Sequence, residues 1–167
     1  MKRLYRFLLP MAALALAGTS GFAATATTNL GVSATVSANC TLTATAVGFG
    51  SYDPVSANAS TDLVASGAVN ANCTNGATAT ILLGQGLHAA TGSTDAAPLR
   101  QMISGGNQLS YQLYSDANHT TVWDNSTGVS YSGQGTQTSV SVYGKVTAGQ
   151  NVPSGNYADT VVATISF

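Results

Sequence analysis

Apolar and polar residues alternate with a period of two along most of this chain. Leu30, Val32, Ala34, Val36 and Ala38 fall on one face of an extended stretch, and Asn29, Gly31, Ser33, Thr35 and Ser37 on the other. That is the pattern of a half-buried strand. A second run follows, with Cys40, Leu42, Ala44 and Ala46 facing one way, until Phe49-Gly-Ser-Tyr-Asp-Pro54 breaks it as a turn or bulge. Residues 62–73 read as the next strand. Asn75-Gly76 marks a hairpin, and residues 77–83 return from it with Ala79, Ile81 and Leu83 on one face. Residues 84–107 read as a long connection with a short strand near 99–103. Further strands are expected at 108–114, with Leu109, Tyr111 and Leu113 on one face, and at 120–123, 138–146 and 157–167. No useful stretch has a helical period after the first residues. Short strands punctuated by turns predict an all-β sandwich rather than βαβ units.

The final stretch sets Tyr157, Asp159, Val161, Ala163, Ile165 and Phe167 on one face, and the sequence stops with that face still running. Most domains end in solvated residues. The expectation is a sandwich with an open apolar edge, a liability unless something pairs with it. Alternation alone leaves open whether residues 28–38 close their own sandwich or another copy's.

Composition adds a compartment. Lys2, Arg3 and Arg6 precede a short apolar run, and Gly21-Phe22-Ala23 offers the small residues a signal peptidase reads. Residues 1–23 are therefore expected to be a secretory signal peptide, with Ala24 or Ala26 as other cleavage points. The apolar run is well short of the roughly 20 residues a spanning helix needs. Beyond it only Arg100 and Lys145 face six aspartates, a net charge of −4, and the chain has no glutamate. No basic patch exists to neutralise phosphates, so no nucleic-acid partner is expected.

In an exported chain the pair Cys40 and Cys73 reads as a structural disulfide. Closing that loop is worth roughly 3–4 kcal/mol by chain entropy. His119 near Asp116 and Asp124 invites a hydrolase reading, but no Gly-x-Ser-x-Gly elbow occurs, and no glutamate is present to pair as acid and base. These are read as polar turn residues. No catalytic residue, metal site or cofactor is expected, since neither His88 nor His119 has ligand spacing around it. Several Asn-x-Ser/Thr triplets are chance matches in so Asn-, Ser- and Thr-rich a chain. Trp123 and the tyrosines are expected in the core and strands.

Phe49-Gly-Ser-Tyr-Asp-Pro54, Leu109-Ser-Tyr-Gln-Leu-Tyr-Ser-Asp116 with Thr121-Val-Trp-Asp124, Val142-Tyr-Gly-Lys145, Pro153-Ser-Gly-Asn-Tyr-Ala-Asp-Thr160 and the terminal Ile165-Ser-Phe167 resemble spore coat protein U domains. That family includes major subunits of archaic, Csu-type chaperone–usher pili. The resemblance implies an incomplete immunoglobulin-like β-sandwich lacking its last strand, with an N-terminal donor strand. It implies a periplasmic chaperone, an outer-membrane usher and neighbouring pilin copies as partners, and an extracellular fibre as the destination. Joining would be donor-strand complementation, a form of β-augmentation. Residues 24–38 would be the extension and 39–167 the domain. Leu30, Val32, Ala34 and Val36 would be the donor plugs, and Val161, Ala163, Ile165 and Phe167 would line the acceptor groove. The other expectation is a self-complemented, monomeric coat or adhesive module.

Overall fold

The computed structural model describes residues 21–167, so most of the expected leader lies outside the described residues. It has two parts, an N-terminal stretch to Thr35 and a folded unit Val36–Phe167. Residues 21–38 are exposed and have no regular secondary structure. The alternating pattern of 28–38 thus carries no ladder among the described residues, and a strand exists only by pairing its backbone.

The folded unit is all-β. Its strands are β1 (Cys40–Thr45), β2 (Leu63–Cys73), β3 (Thr78–Leu83), β4 (Arg100–Ser104), β5 (Asn107–Tyr114), β6 (Val129–Ser132), β7 (Thr138–Val146) and β8 (Ala163–Ser166). They form a five-stranded sheet, ordered β1-β2-β7-β5-β4, and a three-stranded sheet, ordered β6-β3-β8. Every pairing is antiparallel. Alternation decides which face is buried. Val69, Ala71, Val142, Val146, Leu109 and Leu113 of the large sheet pack against Ala79, Ile81 and Leu83 of the small one.

Asn75-Gly76 makes the turn from β2 to β3, and Gly76 takes the positive φ that turn demands. The turn changes sheets, however, so β2 and β3 are not hairpin partners. Cys40 and Cys73 sit opposite each other in the β1–β2 ladder and are disulfide-bonded, as the sequence leads one to expect.

Three expectations change. Residues 120–123 form one isolated bridge, Tyr114 to Val122, rather than a strand. Here Asp116 folds the chain back on itself, its carboxylate accepting from the Thr120 and Thr121 amides. Residues 129–132 form β6, which no clear alternation announced. The last strand is regular only over Ala163–Ser166. Upstream, residues 158–162 leave β3, follow residues 84–87 through two backbone bonds, and reach β4 at an Ile103–Ala158 bridge. The C-terminal segment therefore crosses from one sheet to the edge of the other.

Candidate functional site

Three strands cannot cover five. Part of the large sheet's inner face is roofed by two irregular segments, residues 46–54 and 152–161. Between them lies an apolar groove of about 1010 Å³, lined among others by Val47, Phe49, Leu109, Tyr111, Val161 and Ala163. No backbone hydrogen bond joins the two segments. β1 and β8 are each paired on one side only.

The first rim is built by a change of parity. Leu42 of β1 faces the core, but three residues after Ala44 the apolar positions become Val47 and Phe49. The chain leaves the large sheet there and crosses over Gly67 and Gly144. A Cβ on Gly144 would lie 2.7 Å from both the Phe49 ring and Val47, and one on Gly67 2.8 Å from Val47. Both glycines are needed for close approach. Phe49 meets Tyr111 edge-on with ring centroids 6.1 Å apart. Tyr52 ties the end of this rim to the β7 exit loop, its hydroxyl donating to the Thr147 carbonyl at 3.0 Å.

The second rim keeps its alternation. Tyr157, Asp159, Val161 and Ala163 are half-buried, while Ala158, Thr160 and Val162 are exposed. Asp159 pins it. Its side chain is 1% exposed. Oδ1 accepts from the Leu87 and His88 amides at 3.0 and 3.2 Å and contacts His88 Nδ1 at 3.0 Å. Oδ2 accepts from the Tyr111 hydroxyl at 2.7 Å. Gly86, at φ +90°, wraps the carboxylate where any Cβ would collide with it. Burial, and then the bond to Asp159, push the Tyr111 hydroxyl above its ordinary range, so it remains a donor.

Beneath that loop lies Arg100, 1% exposed. Its Nε donates to the Gly84 carbonyl, and Nη2 to the Leu83 and Trp123 carbonyls at 3.0 and 2.8 Å. Burial lowers its pKa to about 10, which leaves it charged at neutral pH. Paired with carbonyls, it ties residues 83–84 and Trp123, which would otherwise bury unsatisfied acceptors, to β4.

Val161 and Ala163, named from sequence, line the groove, whereas Ile165 packs against the core cluster and Phe167 is 59% exposed. Leu30, Val32 and Val36 are 86%, 88% and 82% exposed, and Ala34 is also exposed. Sequence reasoning missed the opposite rim. The parity shift from Leu42 to Val47 and Phe49 was the available signal.

Of the polar residues weighed for hydrolysis, both aspartates are taken up by backbone amides, and His119 has a buried Nε2 without a hydrogen-bond partner. The Thr121 amide, and then the Thr120 amide, lower Asp116 from its ordinary value. Burial raises Asp124, but the amides of Gly128, Thr127 and Ser126 outweigh it and the net shift is downward. His119 stands edge-on to Tyr114 and Tyr143. Among the described residues no group of three His, Cys or Asp could hold a metal ion.

Residues 26–164 match the Spore Coat Protein U domain model. The chain is 47% identical to Protein U of Myxococcus xanthus over 155 residues, covering 87% of each. It is similar in fold to a chain in the crystal structure of the CsuC–CsuE chaperone–tip adhesion subunit pre-assembly complex from archaic chaperone-usher Csu pili of Acinetobacter baumannii. That likeness has a TM-score of 0.55 at 22% identity over 80% of this chain, which spans 40% of the Csu chain.

Proposed function

The chain belongs to the Spore Coat Protein U domain family, and from that premise we propose that it is an exported structural subunit. In this reading it assembles into a pilus or coat fibre by lending its N-terminal extension to the groove of the next copy. One observation carries the reading. The same molecule has a groove flanked by half-paired strands and an exposed, alternating stretch that pairs with no strand among the described residues. An extended strand laid in the groove could pair with the free edge of β8 while alternate side chains enter the groove.

Residues 1–23 would be removed on export, 24–38 would be the extension and 39–167 the receiving domain. Leu30, Val32, Ala34 and Val36 would be the plugs. Val161 and Ala163 would line the groove with Val47 and Phe49, and Ile165 and Phe167 would continue the pairing edge. Burying each of Leu30, Val32 and Val36 is worth roughly 1.5–3 kcal/mol. Such a joint needs no ion pair, which suits a mature chain with two basic residues. The apolar side chains in this groove, Phe49 and Val161 among them, also call for cover before assembly. A periplasmic chaperone would fill it, and an outer-membrane usher would exchange it; the Csu relative is itself a chaperone–subunit complex.

The test is surface protein run unboiled on a gel, from cells making the chain with its export partners. A ladder that collapses on boiling, and is lost in Val32→Asp, is expected. A single monomeric band from the unaltered chain would overturn the reading in favour of a self-complemented module.

A further inference from the structure

The residues joining the extension to the domain are held in a way that bears on which copy the extension can enter. Thr74, just past β2, accepts at its hydroxyl from the Asn39 amide at 3.1 Å. The Thr74 amide donates to the Asn39 carbonyl at 2.9 Å. The same hydroxyl lies 3.4 Å from the carbonyls of both Ser37 and Asn39, which share its one proton. Next to this the Cys40–Cys73 bond locks the β1–β2 register. The backbone of residues 37–39 is thus held beside Thr74, at the end of the β1–β2 ladder.

We propose that Thr74 is a positioning residue that keeps residues 37–39 straight and so directs the extension to a second copy rather than to its own groove. This rests on the donor reading above. To enter its own groove, the chain must reverse between the plugs and β1. A tight reversal takes about two residues, with small or polar side chains preferred. Ser37 and Ala38 are suited to it, but Thr74 commits Ser37 and Asn39 to the extended path. The reversal then falls on Thr35 and Val36. That spends Val36 as a plug and puts β-branched residues in the turn, where they fit poorly. Entry into another copy needs no reversal and keeps all of the plugs.

The experiment refolds the purified, disulfide-intact chain at high dilution and measures monomer against multimer by size-exclusion chromatography, comparing the unaltered chain, Thr74→Val and Thr74→Ser. Thr74→Val keeps the shape and removes the hydroxyl. Its monomer-to-multimer ratio should rise by roughly threefold to tenfold, the range for losing one modest hydrogen bond, with amides 30–36 newly protected from exchange in the monomer. Thr74→Ser should behave like the unaltered chain. An unchanged ratio in Thr74→Val, with multimers still abolished by Val32→Asp, overturns the clamp alone. Multimers that survive Val32→Asp overturn the donor reading, and the clamp with it. Should Thr74→Val fail to fold, exchange of the Asn39 amide in the unaltered chain decides: slow exchange supports the clamp, and free-chain exchange overturns it.

Discussion

Two regions of this domain are made from the same short, alternating strands and come out differently. Around Trp123 the sandwich is closed. The indole is 1% exposed and donates to the Ile81 carbonyl at 2.9 Å, Arg100 gathers three neighbouring carbonyls, and the Tyr131 hydroxyl donates to the Ala71 carbonyl at 2.9 Å. Along the groove it is open, with two rims that present apolar faces and share no backbone bond. The difference lies less in hydrophobicity than in whether polar backbone groups have been supplied with partners. A closed region can be maintained by one chain, whereas in the proposed assembly the open one is completed by another strand. Changes in the first should therefore cost the isolated chain its stability, and changes in the second should cost assembly while the chain stays folded.

The largest effect is expected from Trp123→Ala. It removes the biggest fully buried side chain and strands the Ile81 carbonyl, for a loss of about 3–5 kcal/mol in denaturant unfolding of the isolated domain. A cost below about 1 kcal/mol would mean that this region is not the one holding the chain together. Next is the double change Cys40→Ser with Cys73→Ser, expected to cost roughly 3–4 kcal/mol by the same measurement. Reduction of the unaltered protein should reproduce it.

The sequence made the closed region more legible than the open one. Period-two alternation located β2, β3, β5 and β7 because each buries one whole face, and Asn75-Gly76 marked the β2–β3 turn because a tight turn needs Gly76 at positive φ. The cysteine pair was readable from its even count and the expected leader. The Val47–Phe49 rim was not read, because it depends on a strand leaving its sheet, and the chemistry that permits this lies far away in sequence at Gly67 and Gly144. Asp159 sat correctly on the inward face, yet nothing in its neighbourhood announced a carboxylate bound by two amides from residues 87 and 88. Arg100 likewise stood out in the sequence only as one of two basic residues beyond the expected leader. Its burial follows from three carbonyls that converge only in the fold.

A smaller effect on the isolated chain, and a sharper one on the comparison, is expected from Val161→Ser on the open rim. Val161 is only half-buried, so the isolated domain should lose about 1 kcal/mol or less. On the proposed assembly, multimers formed by refolding should nonetheless dissociate several-fold faster, because the side chain would be fully enclosed only once a strand lay in the groove. Equal losses in the two measurements would make the groove an ordinary part of the core.

The smallest expected effect concerns acid. Asp116 and Asp124 both have folded-state values below their unfolded ones, through the amides of Thr121 and Thr120 in one case and, against the cost of burial, of Gly128, Thr127 and Ser126 in the other. A depressed carboxylate contributes stability that is fully present above its unfolded value, near 4, and is lost as pH falls through the lower folded value. The unfolding midpoint of the isolated domain should therefore be flat from neutral pH to about 5 and decline below about 4. Asp116→Asn, which keeps a side-chain oxygen for the Thr120 and Thr121 amides but cannot ionise, should flatten part of that decline. Both carboxylates flank Trp123 in sequence, so acid should loosen the closed region before it alters the apolar groove lining. If acid released the strand from the groove while leaving the unfolding midpoint unchanged, the assignment of stability to the closed region would be wrong.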